Sequence, residues 1–519
     1  MRSTFQSLET AKRGMAMQQT ALQTLGHNIT NANTPGFSRQ RVNFQTTTAF
    51  PKPGMQAPFL PGQVGTGGEA GSVQRIRDNF LDLQFRKEVN KLGFYGAKTD
   101  ALKKMEDIMN EPSEDGLSKQ LNNFWKSLQD LAVNPQNSGA RSVVLERGKA
   151  VTETFHYLSN SLKDVQKDLN NQISVTTKEV NSLIEQISNV NKQIADVEPH
   201  GYLPNDLYDE RDRLVDQLSG LVNVKVSYVE SGGMAKPEAE GRASIELLDA
   251  NGSPMGLLVD GLDLNTKPNY LTVNYESRPL GEASYVTGIT VGPNTIPMKD
   301  FASTGKLKGL IDSYGYVENG TPRTIKGEYP EMLQQLDQLA GSFVIAFNEA
   351  HKQGWTLDGD TGKDFFDPTK LTADSISLAI KSPTEIASAG QPTTSGGTEN
   401  KGNGDNALKL AEILRGKITI YGDPATKSNP KEDTMDSFYQ GMIGTMGVRA
   451  QESERLMNNS NLLAANVEDR RMQVSSVSLD EEMINMVKYQ HAYNAAARNI
   501  TLVDEMLDKI INGMGLVGR

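Results

Sequence analysis

Two narrow apolar stripes, one near each end of this 519-residue chain, constrain its fold more than any other feature. Within residues 8–29, Leu8, Ala11, Met15, Gln18, Leu22, Leu25 and Ile29 fall alternately three and four positions apart. That is the spacing of a coiled-coil seam with one polar interruption. A helix over these residues is roughly 40 Å long at about 1.5 Å per residue. At the other end Leu479, Met483, Met486, Gln490, Tyr493, Ala497, Ile500, Asp504, Leu507, Ile511 and Met514 alternate in the same way. Ser478 with Glu481 gives a capping-box signature ahead of this stretch, and Gly513 and Gly515 mark its end.

A helix with one thin apolar stripe cannot bury that stripe alone. Two such helices in one chain are expected to pair with each other; the alternative is that each packs separately on a central domain. Charge favours pairing. Residues 1–45 carry Arg2, Lys12, Arg13, Arg39 and Arg41 against Glu9, a net of +4, whereas residues 478–519 carry six acids and four bases, a net of −2. Gln18 and Gln490 either fix the register of the pair, as a polar residue in an apolar seam can, or face solvent where the stripe shifts.

The first helix ends in "NITNANTPGFSRQ", residues 28–40. Asn31 and Asn33 tolerate the left-handed backbone that terminates helices. Thr34-Pro35-Gly36 suits a turn with Pro second and Gly third, and Phe37 supplies one apolar anchor.

Net charge −11 and a pI near 5.2 argue against nucleic acid as a partner. With no cysteine there are no disulfides, thiolate metal sites or thiol nucleophiles. Residues 1–30 lack the continuous apolar core of a secretory signal, and no run of about 18 apolar residues suggests membrane insertion. If the chain leaves the cell, another export route must carry it.

Between the ends, residues 38–77 read as an extended linker rich in Thr, Pro and Gly. Helical periods over 78–221 include a long stripe, Leu158, Leu162, Val165, Leu169, Ile173, Val180, Ile184 and Ile187, broken at Pro199 and Gly201. Over 222–304 the period changes to two, as expected of a β-rich outer domain. Helix returns at 305–354. Residues 355–432 are mixed and read as a second outer region, and 433–477 are helical again. With 1–37 and 478–519 as the terminal helices, the fold class is α+β and multidomain. It combines a terminal-helix coiled coil, a long-helix bundle built from both halves of the chain, and an outer β-rich insert.

No constellation predicts catalysis. The five His are scattered without metal-ligand spacing. "DGDTGKDFF", residues 358–366, spaces its Asp somewhat like a calcium loop but lacks the bidentate Glu, and a solvated turn suffices. "GTGGEA", residues 65–70, follows no buried strand, so no dinucleotide cofactor is expected. "DLYDERDR", residues 206–213, offers acids in the pattern of a glycosidase, yet ion pairing along a solvated helix face accounts for them more simply. Arg39 and Arg41 beside Phe37 read as subunit contacts.

"LGHNITNANTPGFSRQRV" resembles the N-terminal motif of the bacterial flagellar axial proteins, the rod, hook and hook-associated proteins. "SLDEEMINMVKYQHAYNAAARNITLVDEMLDKIIN" is similar to the matching C-terminal end of that family. "NDLYDERDRLVDQLSGLVNVKV" and "VGTGGEAGSVQRIRDNFLDLQFRKE" resemble its hook-associated branch. The resemblance implies a non-enzymatic subunit without cofactor or metal, assembled extracellularly as a layer between hook and filament. Implied partners are further copies of itself, the hook protein, the next junction protein and, through it, the flagellin filament. An export chaperone on the C-terminal helix and export through the flagellar type III apparatus, without cleavage, are also implied. The assembly interface is then expected at the two stripes together with Asn33, Pro35, Gly36 and Phe37. Competing readings are a hook or rod protein, a secreted wall hydrolase, and an adhesin that binds through residues 222–300.

Overall fold

The computed structural model describes residues 4–51, 54–55, 62–109, 116–276, 284–318, 324–392 and 400–513. Met514 and Gly515, named above, lie outside the described residues.

Helix α1 spans Thr4–Thr30. It stops where side chains and a turn take over its last carbonyls. Asn31 Nδ2 donates to His27 O at 3.1 Å, and Thr34 N–H donates to Asn31 O at 2.9 Å. Phe37 N–H then closes a turn on Thr34 O at 3.2 Å, with Gly36 at φ +84°. That third position requires a residue free to adopt positive φ, which is why Gly follows Pro35. Asn31 and Asn33 do not adopt left-handed angles, contrary to the expectation; the glycine alone supplies them.

Residues 38–77 are not a plain extended linker. Strands β1 (Gln40–Thr46) and β2 (Gly68–Arg75) pair antiparallel, Gln40 opposite Arg75 and Val42 opposite Val73, with a bulge between Asn43 and Phe44. The two strands are distant in sequence and dominated by polar residues and Gly, so neither advertises a period of two. Gly67 and Gly68 seat β2 on α1. A Cβ at Gly67 would lie 3.3 Å from Thr10 Cγ2, and one at Gly68 3.3 Å from Met17 Sδ.

Helices α2 (Asn79–Met109), α3 (Leu117–Val133) and α4 (Ser138–Val197) follow. The 60 residues of α4 extend about 90 Å. Val151, Phe155, Leu158, Leu162, Leu169, Ile173, Val180, Ile184, Ile187 and Ile194 form its buried stripe. Gly201, at φ +82°, ends the turn beyond α4 before α5 (Asn205–Leu221). Strands β3 (Val224–Val229), β4 (Arg242–Leu248) and β5 (Pro254–Val259) make an antiparallel three-stranded sheet in that order.

A second sheet is assembled from β6 (Leu271–Tyr275), β7 (Val286–Val291) and β8 (Asn294–Pro297) before α6 (Lys306–Tyr314), and β9 (Tyr316–Glu318) and β10 (Thr324–Lys326) after it. Its order is β10-β9-β7-β6, with β8 also on β7. Helices α7 (Glu328–Lys352) and α8 (Asp405–Ile413), the hairpin β11 (Lys417–Ile420) and β12 (Lys431–Thr434), and helices α9 (Met435–Ser475) and α10 (Leu479–Gly513) complete the chain.

The chain divides into two compact units. The first is Met1–Val89, Val180–Tyr270 and Asn461–Arg519; the second is Asn90–Glu179 and Leu271–Ser460. This departs from the expected β-rich domain at 222–304: β3 to β5 belong to the first unit and β6 to β8 to the second. The period of two identifies strands but not their partners, and β7 bonds to β9, which follows α6. Nor are residues 355–432 a separate outer region. Within the second unit α8 packs on α3 and α7, and β11 packs on α7. Phe365 and Phe366, both fully buried, join Phe124, Phe343 and Phe347 in an aromatic core. Their centroid separations run from 4.9 Å for Phe347–Phe365 to 6.0 Å for Phe124–Phe365. The surrounding Gly, Ser and Thr hid this pair in the sequence.

Candidate functional site

In the first unit α1 packs along α10. A Cβ at Gly14 would lie 4.0 Å from Ala496 Cβ, and Asn28 Nδ2 donates to Glu482 Oε2 at 3.2 Å. From Gly14 to Asn28 and from Ala496 to Glu482 are equal steps in opposite directions, so the pair is antiparallel. Glu482 and Ala496 make these contacts; Glu482 and Val503 are buried, and Asn485, Tyr489, Ala492 and Ala496 between them are half-buried. Of the expected row, Met483, Met486 and Gln490 lie one position beyond Glu482, Asn485 and Tyr489 and are exposed, while Tyr493, Ala497, Ile500 and Leu507 are half-buried. Adjacent rows share the same three-four spacing. Gly14 and Ala496, both small, face each other where the two helices approach.

The structure therefore separates the residues that the sequence grouped. On α1, Leu25 is buried and Leu8, Ala11, Met15, Gln18, Leu22 and Ile29 are half-buried, while Ala21 and Asn28, which were not singled out, are buried. Gln18 Oε1 is buried without a hydrogen bond, whereas Gln490 is exposed, so the two glutamines do not meet as equals in one seam. On α10, Tyr493, Ala497, Ile500 and Leu507 are half-buried and Ile511 is exposed. Leu479, Met483, Met486 and Val487 form one apolar face that is 50%, 61%, 36% and 54% exposed.

The turn folds the chain back so that Gln40 returns to Asn28. Asn28 Nδ2 donates to Gln40 O at 2.8 Å, and Gln40 N–H donates to Asn28 Oδ1 at 3.0 Å. Arg39 reaches the first turn of α10, with Nη1 2.6 Å from Glu481 Oε2 and Nε 2.7 Å from Glu482 Oε1. Glu481 thus serves Arg39. Arg39 N–H also donates to Ser475 O at the end of α9, at 2.8 Å. Asn33, Pro35 and Gly36 line the turn, and Phe37 is half-buried with its ring 5.4 Å from that of His27. Pro35, Gly36 and Phe37 border a cavity of about 250 Å³ against Asp206, Glu210 and Arg213 of α5.

Beneath that turn the acids of α5 enter a buried ionic lattice. Arg75, Arg77, Arg86, Arg211 and Arg471 meet Asp82, Asp209, Asp212, Asp216 and Glu240. Arg75 lies 2.8 Å from Asp209 and 2.6 Å from Asp212; Arg86 and Arg471 each lie 2.6 Å from Asp216. Arg471 also reaches Asp82 at 3.1 Å, and Arg211 stacks on Tyr228 at 4.6 Å. The lattice ties β2, α2, α5, α9 and the segment before β4. This overturns the expectation of a solvated helix face, since Arg211 is 0% and Asp212 2% exposed. The partners come from four other segments, so helical spacing alone could not reveal them. Burial pushes the Asp212 carboxyl up, but Arg211, Arg75, Arg77 and Arg86 outweigh it and hold it well below the usual carboxylate range. Burial likewise pushes Asp209 up, and there Arg75 and the Ser38 N–H only partly offset it.

The acids facing the cavity are all engaged. Glu210 pairs with Arg213 at 2.6 Å, Asp206 accepts Gln40 Nε2 at 2.8 Å, and Asp209 accepts Ser38 N–H at 2.9 Å. In "DGDTGKDFF", Asp364 pairs with Lys352 at 2.8 Å and Asp360 N–H bonds Thr356 within a turn. Among the described residues no group of three or more His, Asp or Glu is placed to hold a metal ion, and no helix is long and apolar enough to cross a membrane.

Comparison with known proteins matches this geometry at both ends and in the middle. Residues 8–37 match a family model described as flagella basal body rod protein, and residues 469–513 one described as flagellar basal body rod FlgEFG protein C-terminal. The paired terminal helices thus define a class, the structural proteins of the bacterial flagellar axis. Residues 102–366 match the flagellar hook-associated protein FlgK helical domain. Flagellar hook-associated protein 1 of Bacillus subtilis is 46% identical over the whole of both chains. That of Salmonella typhimurium is 29% identical over 69% of this chain and 58% of its own. The chain belongs to the family of flagellar hook-associated protein 1. Its fold is similar to that of the flagellar hook junction protein FlgK from Burkholderia pseudomallei, with a TM-score of 0.57 and 15% identity, over 77% of this chain and all of that one.

Proposed function

We propose that this chain is an adaptor subunit that joins hook to filament, and that copies pack side by side through the α1–α10 pair. The observation that carries the reading is the unequal use of α10. One row is closed against α1, while the next, Leu479, Met483, Met486 and Val487, stays open in a single chain. An apolar face of that kind calls for a further partner. The names of the relatives, hook-associated and hook junction proteins, support hook components as neighbours. The expected interface also includes Asn33, Pro35 and Gly36 of the turn. Before assembly the open face suits a chaperone on α10, and the chain leaves through the flagellar export apparatus without cleavage.

The test is a strain lacking the gene, complemented with the Met483→Asp, Val487→Asp double variant. Hooks without filaments and flagellin in the medium are expected, with the purified variant keeping wild-type helix content by circular dichroism. Normal filaments on such cells would remove the reading.

A further inference from the structure

The chain has 19 methionines and no cysteine. Thioethers are therefore its main targets for a two-electron oxidant, in the absence of competing thiols. Burial divides them sharply. Met105, Met109, Met298 and Met435 are at most 2% exposed. Met55, Met234 and Met472 are exposed but lie off the terminal helices, and Met506, 44% exposed, lies on α10 outside the face from Leu479 to Val487. Met483 and Met486 are exposed and adjacent on one face of α10, between Leu479 and Val487. Only at these two does solvent access coincide with the apolar row assigned above to subunit packing.

We infer that Met483 and Met486 form an oxidation-sensitive modification site that decides whether a free chain can dock a second copy of itself. The inference rests on the packing role proposed above. A sulfur lone pair attacks one oxygen of a hydroperoxide, the O–O bond breaks, and an S–O bond forms. With hydrogen peroxide the sulfur loses two electrons to give a sulfoxide, and the other oxygen leaves as water after proton transfer. The product is a strongly polar group flanked by Leu479 and Val487, which offer no donor, with Gln490 one turn beyond Met486 as the first donor of the row. Burying it unpartnered against another chain is unfavourable. Once a neighbour covers the row, the same sulfurs are shielded from oxidant. The site is thus open before assembly and closed after it, and sulfoxide reduction restores it.

The experiment treats purified full-length chain with hydrogen peroxide, quenches it and maps sulfoxides by peptide mass spectrometry. The protein is then supplied to hook-bearing cells that lack the gene. Oxidised wild type is expected to incorporate about tenfold less than untreated chain, on the scale of about one decade in affinity. The Met483→Leu, Met486→Leu variant keeps its untreated level after peroxide, and Met55→Leu, Met234→Leu loses incorporation as the wild type does. Met483→Gln, Met486→Gln, which imitates the polarity, incorporates poorly without oxidant. Sulfoxide at both positions with undiminished incorporation overturns the inference, as does equal loss in the Met483→Leu, Met486→Leu variant. Normal incorporation of the untreated Met483→Asp, Val487→Asp variant sinks the packing role itself. Its failure to incorporate, while oxidised wild type incorporates normally, removes only the oxidation step.

Discussion

Asp212 shows how much a single position can depend on residues far from it in sequence. Four guanidiniums from Arg211, Arg75, Arg77 and Arg86 hold its carboxyl ionised despite burial. Because its folded-state pKa is depressed, it contributes stability above its unfolded value of about 3.9, and that contribution is lost as pH falls through the folded value. Asp212→Asn is expected to cost about 3–5 kcal/mol in urea denaturation at neutral pH, since it leaves buried cations uncompensated. The gap to wild type should stay constant down to about pH 4 and narrow below it. Asp337 in α7 behaves oppositely. Burial pushes it up to about 6, although the Ala373 N–H stabilises its charge. Wild type therefore loses stability as pH rises from about 4 toward 6. Asp337→Asn, which keeps an oxygen for Ala373, should be more stable than wild type at pH 7 by on the order of 1–3 kcal/mol, and no different at pH 3. An unchanged difference across that range would refute the assignment.

At the scale of elements, the terminal stripes were readable because a three-four alternation is a property of one helix alone. Which side of the α10 stripe faces the partner was not, because that is settled by Ala496 and Glu482 meeting Gly14 and Asn28 of α1. The hairpin β1–β2 and the split of residues 222–304 escaped for the same cause: strand partners are distant choices. The acids of α5 could be seen, but not Arg75, Arg86 and Arg471 across from them. The α1–α10 pair is thin, with many half-buried side chains. Ordering two long helices for so little burial leaves them the least stable elements of a free chain. Limited proteolysis of the monomer should therefore cleave within residues 4–30 and 479–513 well before α4. Equal survival of α4 and the terminal helices over a digestion series would show the pair to be self-sufficient.

For the whole molecule, a net charge of −11 sets copies against one another, whereas the packing proposed for the open face of α10 would draw them together. Raising salt screens the repulsion and leaves the apolar attraction intact. Self-association measured by sedimentation velocity should thus strengthen from about 0.05 to 0.5 M NaCl. Weakening over that range would mean that ion pairs between copies dominate. The ionic lattice matters at this scale too. Had the centre of the first unit been built from Leu and Met, residues 205–216 would emerge sticky whenever the chain was unravelled. With Asp, Glu and Arg set among Leu207, Tyr208, Leu214 and Val215, the same stretch unravels into a more hydrated thread. A molecule fastened this way can travel undone and still lock on arrival.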